Sequence, residues 1–173
     1  RYPRRCLMGQ LKEPLLRKKP EVMDLPPKDW ALTGAKGRSP RRLKSLYLAD
    51  GELTERNWLL YRKYQAMKEQ EVRYEEYLAE DAVFQMVAFG TVARIAPTAA
   101  EMAPDEGMKV GLFRPITLFP FPDAPLNARS QRVKQFMAAE LNTGQMVEDV
   151  RLSVTGDSVV HFFGRPPGAL RRR

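Results

Sequence analysis

The sequence is poor in the residue types that build metal and redox sites. It has one cysteine, Cys6, and one histidine, His161, among 173 residues. A single cysteine excludes an internal disulfide, a thiolate zinc site and the cysteine set of an iron–sulfur cluster. A single histidine excludes a multi-histidine metal site, and its place in an apolar run predicts a core imidazole rather than a catalytic one. We therefore expect no catalytic, cofactor-binding or metal-binding residue in this chain and a reducing compartment.

Long apolar runs are also missing. No run reaches the roughly 18 residues that a membrane span needs, and the basic start has no apolar signal-peptide core. These absences predict a soluble cytoplasmic protein with no membrane partner. The chain begins abruptly at Arg1, so we expect it to be a piece of a longer protein.

Positive charge is concentrated near the two ends of the chain. The net charge is +8 and the isoelectric point is about 9.8. Most of the excess lies in Arg4, Arg5, Arg17, Lys18, Lys19, Arg38, Arg41, Arg42, Lys44 and Arg171–Arg173. A basic arm is more often a solvated tail or a clamp on an acidic partner than a reader of nucleic acid. Nucleic-acid binding is therefore unlikely, although a basic nucleic-acid-binding protein stays open as an alternative.

The first 80 residues are predicted to precede the main domain. Residues 1–50 form an extended arm, because its prolines break every potential helix. Residues 51–80 form a connecting amphipathic helix that runs from Thr54, as N-cap, to about Leu78. Its aromatic stripe, which includes Trp58, Tyr61 and Tyr64, favours core packing over base stacking.

Strand and helix patterns then alternate through residues 81–165. Apolar runs predict strands over 82–90, 109–119, 133–141 and 158–164, with helices between them. Thr91 is the predicted cap of the first of these helices, Gly107 its stop, and Pro97 and Pro104 are predicted to kink or shorten it. The alternation predicts an α/β fold: a three-layer αβα sandwich with a mostly parallel sheet. Residues 166–173 form a basic tail.

The turn at Gly90 raises a second alternative, a stand-alone nucleotide-binding domain. A glycine between a strand and a helix is where phosphate-binding turns lie. The string FGTVAR has one glycine where the dinucleotide fingerprint has three. A structural turn is therefore the favoured interpretation.

Two segments supply the candidate contact residues. The proline-rich string RPITLFPFP, with Arg114, Pro115, Phe119 and Phe121, predicts a stiff loop at the carboxyl end of a strand. This loop is equally compatible with a core plug and with a docking ridge.

The second segment contains Glu140, Asn142, Gly144 and Gln145, at a strand end and a helix start. Helix N-termini attract anions and carboxylates, and a structural network is favoured over direct ligand contact. We predict that these residues and those of the first segment form a subunit or domain interface.

The strings MGQLKEP, WALTGA, EDAVFQMVAFGTVAR, GMKVGLFRPITLFPFP and ELNTGQMVEDVRL together resemble the alpha subunit of 2-oxoacid:ferredoxin oxidoreductases of the 2-oxoglutarate and branched-chain types. The resemblance covers nearly the whole chain. It implies that residues 81–165 form a transketolase C-terminal-like domain. It also implies that residues 1–50 are the end of a pyrimidine-binding domain, matched by Gly9, Gln10, Glu13 and Pro14, and its linker. The chain departs from the family pattern at Pro97, Pro104 and the closing GRPPGALRRR.

The resemblance also implies a function for the complex as a whole. Such enzymes oxidatively decarboxylate a 2-oxoacid to an acyl-CoA and reduce ferredoxin, using thiamine diphosphate, iron–sulfur clusters and coenzyme A. By this resemblance the chain is a non-catalytic segment for domain and subunit packing, inactive in isolation. Its implied partners are a beta subunit, gamma or ferredoxin-like subunits and, indirectly, ferredoxin.

Overall fold

The structure, a computed structural model, describes residues 27–166. The predictions for residues 1–26, including Gly9, Gln10, Glu13 and Pro14, and for residues 167–173 lie outside the described residues. The chain divides into two compact units, whose described parts are residues 27–63 and 64–166. The parallel sheet and every candidate contact residue lie in the second unit.

The first helix, α1, spans Glu52–Gln70 and crosses from one unit into the other. Residues 27–51, which precede it, contain no helix or strand. The prediction for this helix is wrong at both ends, because Gly51 turns the chain into the helix before Thr54 and the helix stops before Leu78.

The prediction of core packing for the α1 aromatic stripe is also wrong. No residue of α1 is buried, and Trp58 is 57% exposed and Tyr61 53% exposed. Trp58 and Tyr61 contact each other edge to face, with ring centroids 5.6 Å apart. The helical spacing of the stripe indicated a helix correctly, but spacing alone does not identify what the apolar face packs against.

The second unit is built on a five-stranded sheet in the order β1-β3-β2-β4-β5. The strands are β1 Tyr74–Tyr77, β2 Phe84–Ala88, β3 Val110–Pro115, β4 Gln135–Glu140 and β5 Val159–Gly164. β2, β3, β4 and β5 pair in parallel. β1 pairs antiparallel with β3, with Tyr74 opposite Pro115.

Strand β1 lies where the sequence predicts the end of a helix. The alternation of its side chains explains why a strand forms there. On one face, Tyr74 stacks on Phe113 with ring centroids 5.1 Å apart. On the other face, the Tyr77 hydroxyl donates to Glu101 over 2.5 Å. Both partners come from distant parts of the chain, so local helix propensity was overridden by tertiary contacts.

Helices cover both faces of the sheet. The α2 helix, Gly90–Met102, lies on one face, and α3 (Asp123–Ser130) and α4 (Met146–Ser153) lie on the other. The predicted three-layer αβα sandwich with a mostly parallel sheet is confirmed.

The end of α2 confirms the predictions for Pro104 and Gly107, whereas Pro97 lies inside the helix and does not end it. The α-helix is shortened, since a 3₁₀ turn over Ala103–Glu106 follows it with Pro104 in the first positions. Gly107 then ends the turn with φ 79, in the left-handed region. The prediction for Thr91 is wrong, because the helix begins at Gly90 and its N-cap, Phe89, makes no side-chain capping bond.

The two faces of the sheet bury different side chains. On the α2 face, Ala93, Ala96 and Ala100 line the inner side of the helix and pack on Met86 and Leu112. The opposite face buries larger residues: Val87, Phe113, Phe121, Leu126, Val133, Phe136, Ala138, Met146, Val147 and Val150. The small alanine side chains allow α2 to approach the sheet closely.

A half-buried ion pair attaches β1 to α3. Arg129 donates from Nε to Glu76 over 2.6 Å and from a terminal nitrogen to the Ala79 carbonyl over 2.8 Å. Its other terminal nitrogen also contacts the Glu76 carboxylate. The hydrogen bond that Arg129 donates to Glu76 holds the pKa of Arg129 above its ordinary value. The fork of the guanidinium therefore adds a two-point attachment between the edge strand β1 and α3.

Replacing Arg129 with methionine should lower the free energy of unfolding by about 1.5 kcal/mol, because Glu76 loses a two-point partner and the Ala79 carbonyl a donor. The matched control is Lys109→Met, since Lys109 pairs with Asp81 where both side chains are more than half exposed. That control should change stability by about 0.5 kcal/mol or less. Urea unfolding of both variants measures the difference, and equal losses would contradict the role given to Arg129.

Within residues 27–166, no helix has the length and the apolar character that crossing a membrane requires.

Candidate functional site

The carboxyl ends of the parallel strands meet at one edge of the sheet. β2 and β4 are neighbours, and the helices that follow them, α2 and α4, lie on opposite faces. Doubly wound sheets bind ligands at such a switch point, outside the carboxyl ends of the strands. Both segments that the sequence singles out border this edge.

Glu140, the last residue of β4, is the centre of this edge. Its side chain is 1% exposed. One carboxylate oxygen accepts from the backbone N–H of Met146 over 2.9 Å, and the other accepts from that of Val147 over 2.9 Å. The oxygen that accepts from Met146, Oε2, also accepts from Gln145 N–H over 3.3 Å and from the Asn142 side-chain amide over 3.0 Å. The carboxylate therefore satisfies the otherwise free N–H groups at the start of α4.

The turn between β4 and α4 is shaped around this carboxylate. The Asn142 side-chain oxygen accepts from Gly144 N–H over 2.7 Å. Gly144 has φ 104, a conformation that favours glycine. We call Glu140, Asn142, Gly144, Gln145, Met146 and Val147 the Glu140 cluster. The hydrogen bonds confirm the structural network predicted for this segment.

Strand β5 packs against the same turn. A Cβ atom built on Gly164 would lie 2.1 Å from Phe162 Cζ and 2.7 Å from the carbonyl oxygen of Asn142. A Cβ on Gly144 would lie 3.1 Å from the same Phe162 ring. The two glycines therefore leave the space that the Phe162 ring and the turn occupy.

The proline-rich loop places its candidate residues in different environments. Arg114 forms an ion pair with Glu75 of β1 over 2.8 Å, and Pro115 is buried at the end of β3. Phe121 is buried in the core under α3 and α4, whereas Phe119 is 55% exposed. The core-plug interpretation fits Phe121, and the docking interpretation is left to Phe119.

Hydrogen bonds hold the proline-rich loop in place. Thr117 Oγ1 accepts from Arg73 N–H over 3.0 Å and donates to the Pro120 carbonyl over 2.9 Å. The peptide bond between Phe119 and Pro120 is cis. The Phe119 ring contacts Tyr64 edge to face, with centroids 5.8 Å apart. The exposed apolar side chains Ile116, Leu118 and Phe119 are thus carried by a loop whose backbone is bonded to the domain.

The prediction of a core imidazole at His161 is wrong. His161 lies on the edge strand β5, is exposed, and its Nε2 lies 2.8 Å from Gln135 Oε1. The apolar run around it predicts a strand correctly. It does not reveal that, in the described chain, α2 covers β2 and β3 and leaves this part of the sheet face open.

Sequence reasoning did not find a pair of carboxylates beside the loop. Asp123 accepts from Ser153 Oγ over 2.8 Å, and Asp149 lies with it along an open cavity of about 520 Å³ that Phe119 also lines. Burial and then the charge of Asp123 raise the pKa of Asp149. Because 26 positions separate the two residues, no local pattern could have paired them.

These features define a doubly wound α/β domain whose switch point is filled by its own buried carboxylate. The sequence model of the pyruvate:ferredoxin oxidoreductase core domain II family matches residues 82–172, and the chain belongs to this family. The family match favours an oxidoreductase subunit over the nucleic-acid-binding and nucleotide-binding alternatives.

Several characterised proteins are similar to this chain. The ketoisovalerate oxidoreductase subunit VorB of Methanothermobacter marburgensis is 40% identical over 165 residues, 95% of this chain and 47% of that protein. Its counterpart in Methanothermobacter thermautotrophicus is 42% identical with the same coverage. The 2-oxoglutarate synthase subunit KorA of the latter organism is 30% identical over 57% of this chain. The chain thus spans about half the length of the VorB relatives.

A solved structure supports the fold. The 2-oxoglutarate:ferredoxin oxidoreductase from Magnetococcus marinus, bound to 2-oxoglutarate, coenzyme A and succinyl-CoA, superimposes with a TM-score of 0.57 at 18% identity. The match covers 69% of this chain and 22% of that one. At this level of identity the likeness concerns the architecture alone.

Three observations bear on the cofactors that such enzymes use. Glu140 occupies the N-terminus of α4, where a diphosphate would otherwise find free N–H groups. Within residues 27–166, no group of three or more His, Cys, Asp and Glu side chains is placed to hold a metal ion. One cysteine in the sequence cannot supply the thiolates of an iron–sulfur cluster.

Proposed function

We propose that this chain is the core-domain-II portion of the alpha subunit of a cytoplasmic 2-oxoacid:ferredoxin oxidoreductase and serves domain and subunit packing. The enzyme would oxidatively decarboxylate a 2-oxoacid to an acyl-CoA and reduce ferredoxin. The relatives' names do not decide between an alpha and a beta-type subunit, and the alpha assignment is supported by the resemblance of the sequence strings.

The cofactors and partners of the proposed enzyme lie outside this chain. Thiamine diphosphate, an iron–sulfur cluster and coenzyme A would be held by other domains and subunits. A beta subunit and gamma or ferredoxin-like subunits would be the direct partners. Ferredoxin would be reached through them.

The observation that carries the packing role is the combination of a filled switch point and an exposed apolar loop beside it. The Glu140 cluster uses its polar groups internally, so little is left to orient a small molecule. Ile116, Leu118 and Phe119 are each more than 40% exposed on a loop fixed to the domain. A fixed apolar loop loses little entropy when another protein surface covers it.

The test is Phe119→Asp in the full-length subunit, co-expressed with its partner subunits. A charge placed in a buried contact should weaken subunit association at least about tenfold and lower 2-oxoacid-dependent ferredoxin reduction in proportion. Size-exclusion chromatography and an electron-transfer assay measure the two effects. Val83→Asp is the matched control. Val83 is 59% exposed and directly precedes β2, at the amino ends of the parallel strands, whereas Phe119 lies beyond their carboxyl ends.

Each outcome bears on a separate part of the proposal. If the Phe119→Asp complex assembles and reacts like the unsubstituted one, the loop is not an interface. If the unsubstituted complex assembles but reduces no ferredoxin with any 2-oxoacid, the assignment to these oxidoreductases is wrong. Copurification with a second alpha-type subunit in place of a beta subunit would contradict the alpha assignment.

A further inference from the structure

Strand β5 presents an unpaired edge in the described part of the chain. It is the last strand of the sheet, and its only partner there is β4. Val159 N–H donates to the Lys134 carbonyl over 2.8 Å and Arg165 N–H to the Glu140 carbonyl over 2.9 Å. The backbone N–H and C=O groups of the odd-numbered residues therefore point towards β4. Those of Val160, Phe162 and Gly164 point away from the sheet.

This edge lacks the features that usually prevent strand pairing. Its sequence, VVHFFG, has no proline, lysine or glutamate, whereas exposed edges are normally protected by charges, prolines or shortness. The opposite edge of the sheet differs, since β1 has four residues, two of them glutamates. In residues 27–166, the β1 edge is thus protected against association and the β5 edge is open to it.

The sequence of β5 is complementary to itself when it is reversed. If two copies pair antiparallel around His161, Val159 lies opposite Phe163 and Val160 lies opposite Phe162. The same register places Asp157 opposite Arg165. Cross-strand pairs of aromatic with β-branched residues, and of opposite charges, are the stabilising combinations. In this register, the outward-pointing backbone N–H and C=O groups of Val160 hydrogen-bond to those of Phe162 in the other copy, as an antiparallel ladder requires.

We propose that β5 pairs antiparallel with β5 of a second copy of this chain, with the two-fold axis at His161. The pairing joins two five-stranded sheets into one of ten. It also brings Val159 and Phe163, which are 46% and 58% exposed, against their counterparts on the open sheet face. In a two-fold contact, the β5 edge of each copy is paired with that of the other, so no further copy can add and the assembly is a closed dimer. This inference is independent of the proposed function.

The register is tested by disulfide cross-linking of the whole 173-residue chain. In a Cys6→Ser background, which removes the only cysteine, His161→Cys places two thiols across the axis. Facing residues of such a pair have Cα atoms about 4.5 Å apart, within disulfide range. We expect most of the protein to form a linked dimer under mild oxidation. Val159→Cys is the control, because its copies would be offset by four residues, about 13 Å.

Charge at the axis provides a second measurement. His161→Lys and His161→Glu each place like charges face to face, so each variant should sediment as a monomer, whereas an equal mixture should recover the dimer. His161 is exposed, so both variants should keep the circular dichroism of the folded chain. Val83→Lys should remain dimeric. A monomeric unsubstituted chain, a dimeric His161→Lys variant, or equal cross-linking of the two cysteine variants would overturn the proposal.

Discussion

Replacing Glu140 with alanine is expected to lower the free energy of unfolding by about 3 kcal/mol. The substitution leaves the N–H groups of Met146 and Val147 buried with no acceptor. It also removes the negative charge that the N-terminus of α4 favours. Because domains are stable by only about 5–15 kcal/mol, such a loss should lower the melting temperature by roughly 6–12 °C.

Calorimetry or urea unfolding of three variants separates the causes. Glu140→Gln keeps one oxygen as an acceptor and should fall between the unsubstituted protein and Glu140→Ala. Glu148→Ala is the matched control, since Glu148 lies in the first turn of the same helix and is exposed. It should cost no more than about 1 kcal/mol. Equal losses for Glu140→Ala and Glu148→Ala would show that helix charge alone, and not the buried network, matters.

Gly164→Ala is expected to cost about 2–3 kcal/mol, as an added methyl group in a filled space does. The new Cβ would lie 2.7 Å from the Asn142 carbonyl oxygen, which belongs to the backbone and cannot rotate away. The Phe162 ring, 2.1 Å from the same point, could move only by leaving the turn between β4 and α4. The turn that holds the Glu140 cluster should therefore loosen.

Gly156→Ala is the control for Gly164→Ala. Gly156 has φ 72, and a Cβ there meets no atom within 4 Å. Its substitution carries only the backbone strain of a left-handed residue, about 1–2 kcal/mol. Thermal unfolding should rank Gly164→Ala as the more harmful change, with faster amide exchange at Met146 and Val147. Unchanged exchange at those two amides would separate Gly164 from the Glu140 cluster.

The αβα fold could be read from the sequence because each parallel strand is a short apolar run. β2 is buried between helices, and proline and glycine predict where the first of these helices ends, as at Gly107. The strand β1 could not be predicted this way. Its two glutamates predict an exposed segment. They have a structural role because they pair with Arg114 and Arg129, which lie much later in the chain.

The candidate site was predictable in part for the same reason. Glu140 and Asn142 at the end of an apolar run, followed by a helix start, indicate a capped turn. The sequence does not say that both carboxylate oxygens are used within the chain, since that depends on how α4 folds back over β4. Likewise, the burial of Phe121 and the exposure of Phe119 depend on where α3 lies.

The buried carboxylate at the start of α4 also changes what this helix end offers to an approaching anion. A helix N-terminus carries about half a positive charge on its free N–H groups, and the Glu140 carboxylate occupies those groups in α4. An approaching anion, such as a carboxylate or a phosphate group, would therefore find these N–H groups already bonded.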